Sequence, residues 1–174
     1  LTIMVAGFAG LWAFLERIAV DNQFDAEFTN TWLGVGLIAS GVGPLVAAYI
    51  ESAVSRFTGL LLGMGVAVLS MSLLLGEVGR TDYALVLALL PFGYYFGLTF
   101  VFSVIAEADH NGRVPGLMAF ALAISSGAGP AAFGWLKSID APVVVVMALL
   151  IAAGTLLALI IERSINTDSM EKLS

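Results

Sequence analysis

The chain has 174 residues, 60% hydrophobic and 11% charged, with a formal net charge of −6; a soluble domain of this size needs far more charge to cover its surface. That balance leaves no basic patch for phosphates, which excludes nucleic acid as a partner and also a polybasic lipid-binding segment. There is no cysteine, which excludes disulfides and thiol chemistry, and the single histidine, His110, cannot build a metal site alone, so neither metal nor cofactor is expected.

The charged residues leave charge-free runs at 1–15, 28–50, 57–76, 83–106, 114–136 and 141–161. A hydrocarbon core about 30 Å thick needs about 20 apolar residues in a helix. Five runs meet that length, and the first is shorter. The chain opens on Leu1 with neither an initiator Met nor a polar lead, read as a cut inside or just before a membrane helix. No basic start or small-residue cleavage site marks a signal peptide. The runs do not alternate with period two, so spanning helices rather than a barrel are predicted.

Helix 1 is predicted over 1–21 and carries Glu16 and Arg17, about 22–24 Å along the axis from Leu1. Ionisable groups at that depth face a water-filled cavity or each other; the alternative is a snorkelling or capping role in the headgroup zone. An acidic link with Asp21, Asp25 and Glu27 follows. Helix 2 is predicted over 29–50 and helix 3 over 57–76. Helix 4, over 83–106, is expected to be capped by Thr81 or Asp82 and contains Pro91, Gly93, Tyr94, Tyr95, Gly97 and Thr99. Pro and Gly permit a bend where a cavity or neighbouring helix resatisfies the backbone. Tyr94 and Tyr95 sit deeper than an interfacial aromatic belt, so at least one hydroxyl needs a polar partner and cavity lining is expected. Trp12 and Phe14 either extend that aromatic wall or face lipid. Helix 5, over 114–137, is rich in small residues suited to close helix contact, including Gly116, Ser125, Ser126 and Gly134. Asp140 and Pro142 read as the cap and first turn of helix 6, over 141–162. The segment 166–174 reads as a polar, frayed tail.

Ser40-Gly41-Val42-Gly43-Pro44 in helix 2 recurs 86 residues later as Ser126-Gly127-Ala128-Gly129-Pro130 in helix 5. Each copy lies in the second helix of a group of three. The 1–165 bundle therefore divides into units 1–77 and 78–165. An odd number of spans makes the second unit enter from the opposite face, the construction of an inverted repeat. The predicted fold is all-α, a polytopic membrane protein of six helices in two inverted three-helix repeats. Gly41, Gly43, Pro44, Gly127, Gly129 and Pro130 are its expected packing residues.

These features resemble the C-terminal six-helix half of a major facilitator superfamily transporter. The resemblance spans the whole chain and rests on the three-plus-three order, the Gly-Pro pairs and the link Asp109-His110-Asn111-Gly112-Arg113, with its D-x-x-G-R spacing. Leu11-Trp12-Ala13-Phe14-Leu15-Glu16-Arg17 also looks like the first C-half helix of some bacterial members. The link Glu51-Ser52-Ala53-Val54-Ser55-Arg56 departs from the family pattern, keeping little beyond Arg56. The resemblance implies alternating access for a small organic solute, with Trp12, Glu16, Arg17, Tyr94, Tyr95 and Thr99 at the cavity or coupling site. It implies gating by Asp109, Gly112 and Arg113, Glu16 as a carrier of a coupling proton, and an N-terminal six-helix half as partner within the lipid bilayer. It also implies a bacterial inner membrane with both termini cytoplasmic. That orientation puts Arg56, Arg113, Arg163 and Lys172 inside against Arg17, Arg80 and Lys137 outside, with the acidic first link outside.

Two other classes compete. An intramembrane serine enzyme built on Ser125-Ser126-Gly127 lacks a histidine base in any span, so no enzyme is expected. A transporter-like membrane protein with a sensory or structural role fits the degraded 51–56 link.

Overall fold

A computed structural model describes residues 1–108, 114–139 and 141–171. Six α-helices run through them: α1 (Thr2–Asp21), α2 (Ala26–Ile50), α3 (Arg56–Met71), α4 (Arg80–Ala108), α5 (Val114–Ser138) and α6 (Val143–Glu171). All six, α3 together with the 3-10 turn at Ser72–Leu74 that follows it, are long and apolar enough to cross a membrane. The chain is an all-helical protein with the makings of an integral membrane bundle, and no strand occurs among the described residues.

α2 and α4 start earlier than the hydropathy reading because polar residues outside the apolar runs close their first turns. Asp25 caps α2, its carboxylate accepting the Phe28 amide at 2.8 Å, so the helix begins three residues before the expected 29. Neither Thr81 nor Asp82 sits ahead of α4. Asp82 lies inside its first turn and accepts the Gly79 amide at 3.0 Å, the back-reaching arm of a capping box. Pro142 stands just ahead of α6, its carbonyl accepting the Val146 amide at 3.0 Å; Asp140 lies outside the described residues. The last turn of the third span tightens into a 3-10 turn, Ser72–Leu74, and Gly76 then takes φ +99, a left-handed conformation natural to glycine. Residues 166–171, expected as part of a frayed tail, continue α6 as helix.

Packing is crossed between the two halves of the chain. α1 lies against α5 and α6, α4 lies against α2 and α3, and α3 touches α6. α4 is the most enclosed helix, whereas α2 and α5 are largely exposed. In lipid, apolar surface gains little by meeting other apolar surface, so close backbone approach holds helices together. Gly43 supplies it on α2: a Cβ there would lie 2.5 Å from the Phe92 carbonyl oxygen and 3.0 Å from the Phe96 nitrogen. Gly129 does the same on α5, facing the Ala6 carbonyl and, at 3.0 Å, the Gly10 nitrogen. Gly41 and Gly127, expected beside them as packing residues, meet nothing within 4 Å, and neither do Gly116 and Gly134. Pro44 and Pro130 lie within their helices, half-buried.

Candidate functional site: an aromatic cleft

Four rings gather between α1 and α4. Phe8 lies flat on Tyr94, with centroids 4.1 Å apart and planes at 10°. It stacks more loosely on Trp12 at 5.9 Å and meets Tyr95 edge-on at 5.3 Å. Such offset and edge-to-face contacts place ring edges against ring faces and hold the group rigid. Helical spacing explains the grouping: Phe8 and Trp12 are four residues apart on one face of α1, and Tyr94 and Tyr95 splay about 100° apart on α4.

Two clefts open beside this cluster. The larger, about 600 Å³, lies between α1, α4 and α5. Val5, Ala9 and Ala13 of α1 form its floor beside Phe8 and Trp12, while Tyr94, Tyr95 and Leu98 face them from α4. Leu122, Ser126 and Pro130 of α5 and Phe102 of α4 complete the wall. The smaller cleft, about 90 Å³, lies between α1, α2 and α4, bounded by Phe8, Trp12, Leu37, Ser40, Pro91 and Tyr95. No charged side chain lines either cleft among the described residues.

The expected cavity residues separate into two groups. Trp12, Tyr94 and Tyr95 line the larger cleft. Thr99 does not; its hydroxyl donates to the Tyr95 carbonyl at 3.0 Å, one turn back on its own helix. Glu16 follows Trp12 by one turn on the same face of α1 but is exposed and outside the cleft. Arg17 donates to Asp21 at 2.9 Å, 62% exposed, and belongs to the charged end of the bundle. Asp109, Gly112 and Arg113, the expected gate, lie outside the described residues.

Ion pairs tie the helices at that charged end. Asp21 also accepts from Lys137 at 3.0 Å, joining α1 to α5, and Lys137 sits 5.3 Å over the Phe14 ring. Arg80 donates to Asp25 at 2.6 Å, joining the start of α2 to α4, and lies 5.0 Å over Phe28. The bond from the Phe28 amide, followed by the Arg80 guanidinium, holds the Asp25 carboxyl below its ordinary range. At the other end, Arg56 pairs with Glu107, and Arg163 lies 5.3 Å over Phe57.

Sequence reasoning missed Phe8, the ring that organises the cluster, and Ser126 as a cleft wall. A signal for both was present: the 86-residue shift that relates the two S-G-x-G-P segments carries Phe8 onto Tyr94 and Ser40 onto Ser126. Compared with protein-family models, curated proteins and solved structures, the chain matches none.

Proposed function

We propose that this chain is one six-helix half of a secondary active transporter of the major facilitator type, moving a small organic solute by alternating access. The observation that carries the reading is an equivalence of contacts under the 86-residue shift. Gly43 faces Phe92 and Phe96, and the shift turns these into Gly129 facing Ala6 and Gly10, the contacts found, with the same 3.0 Å approach to a backbone nitrogen. Gly93 faces Gly63, Val66 and Ala67, while its counterpart Gly7 faces Met147, Leu150 and Ile151, the third helices being related by 84 residues. Phe8 and its counterpart Tyr94 stack on each other, as residues beside a pseudo-two-fold axis do. Two inverted three-helix repeats, 1–77 and 78–165, account for all of these together.

In this reading the aromatic cleft is the solute path, half-walled until a second six-helix bundle faces it. The membrane is a bacterial inner membrane, with both termini cytoplasmic and the acidic end outside. Single cysteines at Asn22 and Thr81 then react with an impermeant thiol reagent from outside, and outside labelling of Asn111→Cys overturns the orientation. Proton coupling falls to Glu16, close to the path but not in it. Glu16→Gln is expected to keep solute binding and counterflow while abolishing uphill accumulation.

Alternating access itself is tested at Ala13, which lines the cleft. The chain has no cysteine, so Ala13→Cys is a clean reporter. In right-side-out and inverted vesicles it is expected to label from both faces, with reagent on one face slowing labelling from the other. Access from one face alone favours the sensory or structural reading instead.

A further inference from the structure

A separate pocket of about 280 Å³ lies at the charged end of the bundle, between α1, α5 and the start of α6. Leu11, Phe14 and Ile18 of α1, Ala141 and Val144 beside the start of α6, and Lys137 of α5 line it. On α1 these side chains point nearly opposite to Val5, Ala9 and Ala13, which line the aromatic cleft, because successive residues turn about 100°. The pocket is thus walled by this chain, on the side turned away from the face that a second bundle would cover. Lys137 is its one charged side chain among the described residues. Of the three ammonium donors, one goes to Asp21 at 3.0 Å, and the group sits 5.3 Å over the Phe14 ring. Asp21 also accepts from Arg17 at 2.9 Å, so one carboxylate stands between two cations and the trio keeps one positive charge.

Depth and shape add to this. Lys137 is the penultimate residue of the span Gly116–Ser138, and the exposed Trp135 lies two residues before it. Trp and Lys at the end of a span belong at headgroup level. From Val144 a second groove, about 310 Å³, runs between α3 and α6 as far as Ala152, with Ser72 the one polar residue on it among those described. That is about 12 Å of helix axis, most of the roughly 15 Å of hydrocarbon in one leaflet.

We propose that this end of the bundle holds a phospholipid, its phosphodiester on the Lys137 ammonium and its acyl chains in the pocket and the groove that meet at Val144. The inference needs the helices to span a membrane and is independent of transport. A phosphodiester carries the single negative charge that the Arg17, Asp21 and Lys137 trio leaves unmatched, and its oxygens accept from the ammonium. The chains are in hydrocarbon whether bound or not, so they gain only closer packing. The phosphate contact therefore selects the lipid.

Binding of radiolabelled dioleoylphosphatidylglycerol to the purified protein in detergent is expected to saturate. Unlabelled dioleoylglycerol, which lacks the phosphate, should compete on the order of fivefold more weakly. Glycerol phosphate, which lacks the chains, should not compete. Lys137→Gln should weaken the phospholipid to the level of dioleoylglycerol, and Lys137→Arg should keep most of the affinity. Arg80→Gln removes a cation at the same end that lines neither pocket nor groove, so binding should not change. Ala141→Trp fills the pocket with Lys137 in place and should weaken both lipids alike; it serves as the second variant if Lys137→Gln does not fold. Equal competition by dioleoylglycerol, or competition by glycerol phosphate as strong as by the lipid, overturns the proposal. So do equal losses in Arg80→Gln and Lys137→Gln, unchanged binding in Ala141→Trp, or no saturable binding at all.

Discussion

The two clefts beside the aromatic cluster are built from corresponding positions, yet one holds about 600 Å³ and the other about 90 Å³. The 86-residue shift carries Phe8, Trp12, Ser40, Pro91 and Tyr95 of the small cleft onto Tyr94, Leu98, Ser126, Val5 and Ala9 of the large one. The decisive exchange is Tyr95 against Ala9, one phenol ring against a methyl group at matched places. Trp12 against Leu98 acts in the same direction, whereas Pro91 against Val5 does not, proline being the smaller residue. The two clefts share Phe8, Trp12 and Tyr95, so the larger one owes its room to the small Ala9 and not to a general lack of bulk. Side-chain volume at these matched positions distinguishes the two clefts.

The backbone crossings are the part that tolerates least. Gly43→Val and Gly129→Val each force a branched side chain onto a carbonyl oxygen of the facing helix. Each is expected to destabilise the protein by about 3 kcal/mol, with the two effects similar. Gly41→Ala and Gly127→Ala, two residues away in the same segments, meet open space and should change stability by less than about 0.5 kcal/mol. Thermal unfolding in detergent, followed by size-exclusion chromatography, measures all four. A large difference between Gly43→Val and Gly129→Val would break the equivalence on which the comparison stands.

A second change acts on the volumes. Tyr95 lines both clefts, and Tyr95→Ala should enlarge the small one until it joins the large one. The ring is half-buried, so a cost of about 2 kcal/mol is expected, below that of a fully enclosed aromatic. Cysteine reactivity sharpens the result. Ser126→Cys should react with a small neutral maleimide faster than Ser40→Cys in the otherwise unchanged protein. Adding Tyr95→Ala should raise the rate at 40 and leave the rate at 126 nearly alone. Equal rates before the tyrosine is removed would mean that side-chain volume does not distinguish the clefts.

The sequence made the six spans legible because charge-free runs of membrane length leave few alternatives, and α1 and α5 came within a residue or two of their observed bounds. Helix starts were less legible, since Asp25 and Asp82 act from positions that hydropathy alone assigns to links. Tyr94 and Tyr95 stood out as polar-tipped rings at membrane depth, and Trp12 as a ring that either walls the cavity or faces lipid. Phe8 did not, because a phenylalanine in an apolar helix carries no chemical signal until its counterpart is considered. Gly41 and Gly43 could not be told apart by composition. Two residues on a helix point about 200° apart, so one of them faces a neighbour while the other faces out.

The smallest expected effect lies at the charged end, where two acid–base contacts join helices. Asp21 to Lys137 ties α1 to α5, and Asp25 to Arg80 ties the start of α2 to α4; none of the four lines either cleft. These contacts are solvent-exposed, so each contributes little and salt weakens it. Asp25 has a second duty, because its carboxylate also caps α2. Its folded pKa lies below the ordinary value, first through the Phe28 amide and then through Arg80. The charged form is therefore the one that folding favours. Its contribution is fully present above the ordinary aspartate pKa of about 3.9, and it disappears as pH falls through the lower folded value. Amide exchange over the first turn of α2 should quicken, relative to intrinsic rates, as pH drops below about 4. Asp25→Asn keeps a capping oxygen but loses the charge, so it should flatten that dependence and exchange at neutral pH about as fast as the acidified wild type. Asp25→Ala removes both functions and should loosen the turn at every pH. If Asn and Ala behave alike at neutral pH, the Arg80 contact rather than the cap holds the start of α2.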